Sequence, residues 1–358
     1  MTETTDQAAA RGQFTYEEIT SQPAAWGQAL AEAQRQASVL QALLVSGFDE
    51  TIFIGCGSTY YLSLAAAALF QRLSGRAARG LPSSELWFFP EAILRPTTRP
   101  LLVAVSRSGT TTETLCAIDT FKARRDPNIL VVTCYPEAPM AQTASVVLVA
   151  RAAQERSIAQ TRSFASMYVL TAVIAGWAAG NEAYVEQLNR LPKLGRALLD
   201  REGAIAQRIG NDLNIERVYF LGSNIYYGLA CEAMLKMKEM SLTHAEAYHF
   251  MEFRHGPKSM VDDHTLVVGL VGDTVRAREV AVLREMHELG AQVMAIAEDG
   301  TSADLGSADH VVSLHSGLPE TARGALYLPV LQLMAYHRAM AKGLNPDRPT
   351  NLDAVVYL

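Results

Sequence analysis

Two segments concentrate hydroxyl groups and glycines directly after short apolar runs: Gly55-Cys56-Gly57-Ser58-Thr59, and Ser106-Arg107-Ser108-Gly109-Thr110-Thr111-Thr112. That composition suits a phosphate. Backbone N–H groups at a helix start supply the positive dipole end, short Ser and Thr side chains add hydrogen bonds, and glycine lets the backbone come close. Ser and Thr are also ordinary helix N-caps, so either loop alone is ambiguous; the two together point to phosphate binding. A dinucleotide loop is the obvious rival, because Gly55-x-Gly57 follows an apolar run. Its third glycine is missing, however, and Tyr60 stands there. No GKS or GKT loop occurs, which argues against nucleotide triphosphate hydrolysis.

A different chemistry is spaced along Glu232-Ala-Met-Leu-Lys236-Met-Lys238-Glu239-Met. On a helix, Glu232, Lys236 and Glu239 share one face. Met234, Leu235, Met237 and Met240 surround them, so the face is expected to be partly buried rather than a solvated ion-pair ladder. A carboxylate held there can have a raised pKa and shuttle protons. Thr243-His244-Ala245-Glu246 and Glu252-Phe253-Arg254-His255-Gly256-Pro257 then place imidazoles and carboxylates in a non-repetitive segment, with His255 in a turn. No HExxH spacing occurs, so no metal is expected. Cys56, Cys116, Cys134 and Cys231 lie far apart without a CxxC, as expected of small buried hydrophobes in a reducing compartment.

The elements that must position these residues follow one rhythm. The runs Thr51–Ile54, Leu101–Val105, Ile129–Val132 and Ser145–Val149 read as buried parallel strands, separated by helices over Leu62–Leu73 and Thr112–Arg124. The programme then repeats with strands at Val218–Leu221, Thr265–Val271, Gln292–Ala297 and His310–Leu314, and helices at Leu229–Met240 and Thr274–Leu289. Aligning IFIGCGSTYY with YFLGSNIYY puts Gly55 over Gly222, 167 positions apart, and three further strand pairs fall at offsets of about 163–165. One helix over Ala24–Val45 precedes the first copy. Helical stretches Phe164–Ala178 and Val185–Arg208 join the two. The fold class is therefore α/β: two tandem doubly wound, flavodoxin-like parallel-sheet domains related by duplication.

Length and composition agree. At roughly 100–200 residues per domain, 358 residues make two ordinary domains. A net charge of −6 without a long basic stripe argues against a nucleic-acid partner. No apolar run reaches about 18 residues and no signal-peptide pattern opens the chain, so neither a membrane span nor export is expected, and the location read is cytoplasmic.

Together these segments resemble the sugar isomerase (SIS) domain family, and most closely the tandem isomerase half of the glutamine–fructose-6-phosphate aminotransferases. EITSQPAAW (18–26), GCGST, SRSGTTTET, AQTRSF (159–164), LKMKEMSLTHAEAY (235–248), EFRHGP (252–257) and NPDRPTNL (345–352) carry the resemblance, in order, from about Tyr16 onward. It implies a tail and lead-in over 1–25, a first SIS domain over 26–195 with the phosphate loops, a second over 196–345 with the acid/base residues, and a C-terminal tail over the active site at 346–358. By the same resemblance Ser58, Thr59, Ser106, Arg107, Ser108 and Thr111 bind the phosphate end of the substrate. Ile158 and Ala159 line the sugar site. Glu239 moves a proton between C1 and C2, Lys236 steers charge beside it, and His255, supplied by the partner of a homodimer, opens the sugar ring. No cofactor is implied.

Departures qualify the resemblance, among them Thr110 in place of a glutamate and Arg162 in place of a lysine. Thr2 follows Met1 where the synthase has its glutaminase cysteine, so glutamine-derived ammonia is not expected. The family's imine-forming lysine falls at Ala354. Arg107 replaces a glutamine, which adds a planar cation to the phosphate loop. The expected activity is a phosphosugar isomerase or aminosugar-phosphate deaminase acting through an enediol or enolamine. A deglycase of ketoamine 6-phosphates, or a sensor that binds a sugar phosphate without turning it over, are the alternatives.

Overall fold

The computed structural model describes residues 10–125, 128–144 and 146–354. The first half runs α1 (Gln13–Arg35), α2 (Ala37–Leu44), β1 (Glu50–Gly55), α3 (Ser58–Ser74), β2 (Ala77–Pro82), α4 (Ser83–Phe88), α5 (Pro90–Ile93), β3 (Pro100–Ser106), α6 (Thr112–Lys122), β4 (Ile129–Thr133), β5 (Val146–Val149) and α7 (Arg162–Ala178). After α8 (Glu182–Leu188), the second half runs α9 (Leu191–Asn211), β6 (Arg217–Gly222), α10 (Ile225–Ser241), β7 (His244–Tyr248), α11 (Phe250–Phe253), β8 (Thr265–Leu270), α12 (Arg276–Glu288), β9 (Gln292–Ala297), β10 (His310–Ser313) and α13 (Gly324–Ala341). Each half folds into a five-stranded, all-parallel sheet, ordered β2-β1-β3-β4-β5 and β7-β6-β8-β9-β10. The order is the same, and the doubly wound duplication read from the sequence stands.

The offset of 167 is visible in the backbone. Gly57 before α3 has φ 55° and ψ −125°; Asn224 before α10 has φ 52° and ψ −119°. Gly55 and Gly222, also 167 apart, each lie where a Cβ would run into the backbone of the residue four positions on, Thr59 and Tyr226. The sequence reading missed one edge strand of each sheet, β2 and β7. They too start 167 apart, at Ala77 and His244, so the segment taken as non-repetitive is part of the repeat. The single helix expected over Ala24–Val45 is two, broken at Gln36, and the first begins at Gln13. The helix expected over Val185–Arg208 is likewise two, α8 and α9. The first strand residue expected at 145 lies outside the described residues.

The core lies mainly between the two sheets. Helix α7 is buried along almost its whole length and packs on α1 and α3, while α13 packs on α9 and α10. A helix apolar all round belongs in an interior, and here the interior is shared by both halves. The halves meet where α3 packs on α10 and where α1 packs on α9 and α13. Gly228 makes the contact of α3 with α10 close: a Cβ there would stand 2.6 Å from Ala65 N and from Tyr61 O. This approach brings the start of α3 against the side chains of α10. Among the described residues no helix is long and apolar enough to cross a membrane.

Candidate active site

Parallel sheets collect ligands beyond the carboxyl ends of their strands. In the first half, β1 and β3 end in the two hydroxyl-rich loops. A cavity of about 270 Å³ opens there, lined by Cys56, Gly57, Ser58, Arg107, Thr111, Glu113, Ile158, Gln160, Glu239, Leu352, Asp353 and Ala354. One wall comes from the phosphate-type loops and another from α10 of the second half. Residues of the C-terminal tail complete it.

The loops divide their hydroxyls between shaping the backbone and facing the cavity. The Thr59 hydroxyl accepts from Cys56 N and donates to Cys56 O, both at 2.9 Å, and so closes its own turn. Ser106 Oγ accepts from Gly109 N at 3.1 Å, and Ser108 Oγ accepts from Thr110 N at 3.2 Å and from the Thr110 hydroxyl at 3.1 Å. Ser106 Oγ also lies 3.3 Å from Thr111 Oγ1. Of the expected phosphate ligands, Ser58, Arg107 and Thr111 therefore reach the cavity wall. Thr59, Ser106 and Ser108 form the frame behind it.

Ser58 is also where the two halves meet chemically. Its hydroxyl donates to Glu232 Oε1 at 3.2 Å and accepts from Lys236 Nζ at 3.1 Å. Lys236 lies 3.4 Å from Glu232 and forms a second ion pair with Glu239. The helical spacing of the three charges thus produces a network that is buried at Glu232 and Lys236 and open to the cavity at Glu239. Burial raises the Glu232 carboxyl to about 8; the neighbouring Glu239 adds to this, while Lys236 and Ser58 oppose it. Burial by itself would lower Lys236, but the two carboxylates outweigh it and its pKa is raised. Glu232 Oε2 has no partner among the described residues.

Arg107 is directed differently from the expectation that it would face a phosphate. Its Nη1 donates to the Ile158 carbonyl at 2.8 Å and its Nη2 to the Ala354 carbonyl at 3.0 Å. It also pairs with Glu155, whose side chain is wholly buried, at 3.4 Å. Glu155 further accepts from Thr161 N at 2.8 Å, from the Thr161 hydroxyl at 2.9 Å and from Ser163 N at 3.1 Å. Glu18, from the opening motif, holds the same connecting segment by accepting from Arg156 N, Ser157 N and the Ser157 hydroxyl. Two buried carboxylates fix the segment that presents Ile158 and Gln160. Ala159 is buried in the core and does not line the cavity.

His255 is exposed in the turn after α11, as the sequence suggested, and does not line this cavity. The sequence reading did not single out Glu113 and Gln160 as wall residues; Cys56 lies in its first hydroxyl-rich loop, and Leu352 and Asp353 in the tail it expected over the active site. Gln160 had a signal, since it sits inside AQTRSF. Glu113 Oε2 and Gln160 Oε1 have no partner among the described residues, which leaves acceptors available to a ligand rich in hydroxyls.

The second half has its own opening beyond the ends of β8 and β9, about 1010 Å³, lined among others by Asp273, Thr274, Arg276, Arg278 and Asp299. Glu320 sits against Gly272 and accepts from Arg72 Nη2 at 2.9 Å and from the Thr274 hydroxyl. Burial would raise this carboxyl, but Arg72 and Thr274 hold it below its ordinary value.

Two five-stranded parallel sheets, duplicated and meeting at a strand-end cavity, define the class, and the comparisons agree. The SIS domain family matches twice, over residues 49–175 and 213–342, and the chain belongs to that family. It is homologous to the isomerase portion of the glutamine–fructose-6-phosphate aminotransferases. The enzyme of Symbiobacterium thermophilum is 30% identical over 326 residues, covering 87% of this chain and 52% of that protein. That of Methanothermobacter thermautotrophicus is 26% identical over 340 residues, covering 95% and 56%. The chain thus spans about half the length of these relatives. Among solved structures, tagatose-6-phosphate ketose/aldose isomerase from Escherichia coli superposes with a TM-score of 0.85 at 25% identity, covering 96% of this chain and 97% of that one. Glucosamine-6-phosphate deaminase from Thermotoga maritima gives 0.77 at 28% identity, covering 96% and 99%.

Proposed function

We propose that the chain is an enzyme acting on a sugar 6-phosphate by proton transfer between C1 and C2, either as an aldose–ketose isomerase or as an aminosugar-phosphate deaminase. The observation that supports this is the placement of Glu239 on the same small cavity as Ser58 and Thr111, with Lys236 paired to it from behind. The phosphate docks on the loops at the ends of β1 and β3, where Ser58, Thr111 and the backbone of Gly57 face it. With the sugar opened to its aldehyde, the Glu239 carboxylate takes the proton from C2, and the electron pair moves through the new C1–C2 double bond onto the carbonyl oxygen. Lys236 offsets the charge of Glu239 and sits close to the developing enediolate. Transfer of the C2 hydroxyl proton to the C1 oxygen and return of the carbon-bound proton to C1 give the ketose. With an amine at C2 the same steps give a ketimine, which water hydrolyses to ketose and ammonia. His255, which does not line the cavity of its own chain, is proposed to open the ring of a sugar bound to the partner subunit of a homodimer.

The experiment is incubation with glucosamine 6-phosphate, and separately with fructose 6-phosphate and ammonia, in deuterated water, against Glu239→Gln. The reading expects ammonia or an isomer, deuterium at C1 or C2, and loss of both in the variant. Binding of the sugar phosphates without either product or exchange would replace the enzyme with a ligand sensor.

A further inference from the structure

We propose that Arg107 is a positioning residue that fastens the C-terminal tail over the mouth of the cavity. The contact geometry is the argument. The tail is rooted at Asp347, whose carboxylate accepts from Thr15 N at 2.8 Å and from the Thr15 hydroxyl at 2.7 Å, and whose carbonyl accepts from Ile158 N at 3.1 Å. From that root it runs through Leu352, Asp353 and Ala354, all cavity-wall residues. Leu352 is 37% exposed, and the three have no place in the apolar core. Among the described residues, the outer end is held to the body by the hydrogen bond from Arg107 Nη2 to the Ala354 carbonyl.

The guanidinium suits this task. It must reach two carbonyls on different segments, Ile158 and Ala354, while facing a buried carboxylate, and one planar fork with several donors does all three. Glu155 neutralises it and is itself fixed by Thr161 and Ser163, so the side chain is oriented before the tail arrives. Both carbonyl bonds are charge-assisted and largely shielded from water, since the Arg107 side chain is 8% exposed. Arg107 sits in the loop after β3, between the Ser106 and Ser108 turns that frame the phosphate cradle. Cradle and roof therefore share one side chain. The function that follows, slow escape of a bound sugar phosphate, rests on the reading given under Proposed function; the fastening itself does not.

The test separates the two. Hydrogen exchange is followed for the peptide covering 344–354 in the full chain, in Arg107→Lys, and in the double variant Arg107→Gln/Glu155→Gln. The first variant keeps a cation beside Glu155, and the second removes the buried pair together. The expected result is exchange of the tail peptide faster by about tenfold or more in both, with exchange in β3 and α7 unchanged. In parallel, dissociation of glucitol 6-phosphate, an open-chain hexose phosphate that cannot isomerise, is timed by displacement. Its off-rate is expected to rise about tenfold at an unchanged on-rate. Unchanged tail exchange in two folded variants overturns the proposal. Faster tail exchange with an unchanged off-rate keeps the fastening and overturns its role in ligand release. Loss of binding through a fallen on-rate, with the tail still protected, would make Arg107 a ligand to the phosphate instead. If the wild-type chain does not bind glucitol 6-phosphate, the functional reading fails while the exchange data still decide the fastening.

Discussion

Lys236 donates to the hydroxyl of Ser58 at 3.1 Å, joining α10 of one half to the start of α3 in the other. The same hydroxyl donates to Glu232. Ser58 is therefore both a wall of the cavity and the bridge between two buried titratable side chains. Ser58→Ala removes the bridge without filling its space. It leaves the buried side chains of Lys236 and Glu232 one acceptor and one donor short. A stability loss of about 1–3 kcal/mol is expected from the unsatisfied groups. A fall in kcat/KM of about tenfold or more is expected as Lys236 and Glu239 lose their fixed geometry. Urea unfolding and steady-state kinetics on the same preparation check both. A variant stable and active as wild type would mean that the bridge contributes nothing.

Glu232 predicts a pH dependence. Its ordinary value is 4.5 and in the folded chain it is raised to about 8. Between those values the folded state holds the proton that the unfolded chain releases, so this group makes stability fall as pH rises across the window. Lys236 shifts upward as well, but its effect lies in the alkaline range. Glu232→Gln resembles the protonated acid and removes the dependence. Urea midpoints of wild type and variant should lie close near pH 4, and the variant should gain progressively on wild type towards pH 8. Parallel curves across that range would show that the carboxyl does not titrate there.

How much of this was legible in the sequence can be seen at particular residues. The duplication was, because buried parallel strands are unbroken apolar runs and their order survived in both copies. Strands β2 and β7 were not. Every residue of Ala77–Pro82 is at least partly exposed, with Arg79, Gly80 and Pro82 among them, and His244–Tyr248 mixes charge with small side chains. Edge strands of this kind lack the apolar signal, and only pairing with β1 and β6 orders them. In the site, Glu232, Lys236 and Glu239 were readable because helical spacing is local. The orientation of Arg107 was not, since its partners Glu155, Ile158 and Ala354 come from segments about 50 and 250 positions away. The divided duty of Thr59, Ser106 and Ser108 was equally hidden, because a hydroxyl that closes a turn and one that faces a ligand look alike in a sequence.

Gly228 tests the contact of α3 with α10. Its Cα faces the backbone of α3, where a methyl group would stand 2.6 Å from Ala65 N and Tyr61 O and 2.8 Å from Ala65 Cβ. The neighbours on α3 are backbone atoms that cannot rotate away. Gly228→Ala should force the two helices apart at a cost of about 1–3 kcal/mol, against the small gain alanine gives within a helix. Because Ser58 lies on α3 and Glu239 on α10, the same displacement should lower activity more than stability. Calorimetry and kinetics on Gly228→Ala and Gly228→Ser check this. A more stable, fully active alanine variant would show that this contact is loose.

That His255 does not line the cavity of its own chain leads to a test by subunit mixing. Glu239→Gln lacks the acid/base group and His255→Ala lacks the proposed ring-opening group, so each pure variant should be inactive on ring-form substrate. In a mixed dimer, one site has glutamine at 239 and faces alanine from its neighbour. The other has Glu239 intact and faces the histidine of the Glu239→Gln subunit. Random re-association of equal amounts makes half of the dimers mixed, each with one complete site, so activity should return to about one quarter of wild type under two-fold symmetry. If His255 acts within its own chain, no mixture contains a complete site and activity stays at the level of the separate variants. Light scattering on the same samples reports whether dimers form, so a lack of recovery from dimers known to exchange subunits rejects the shared site.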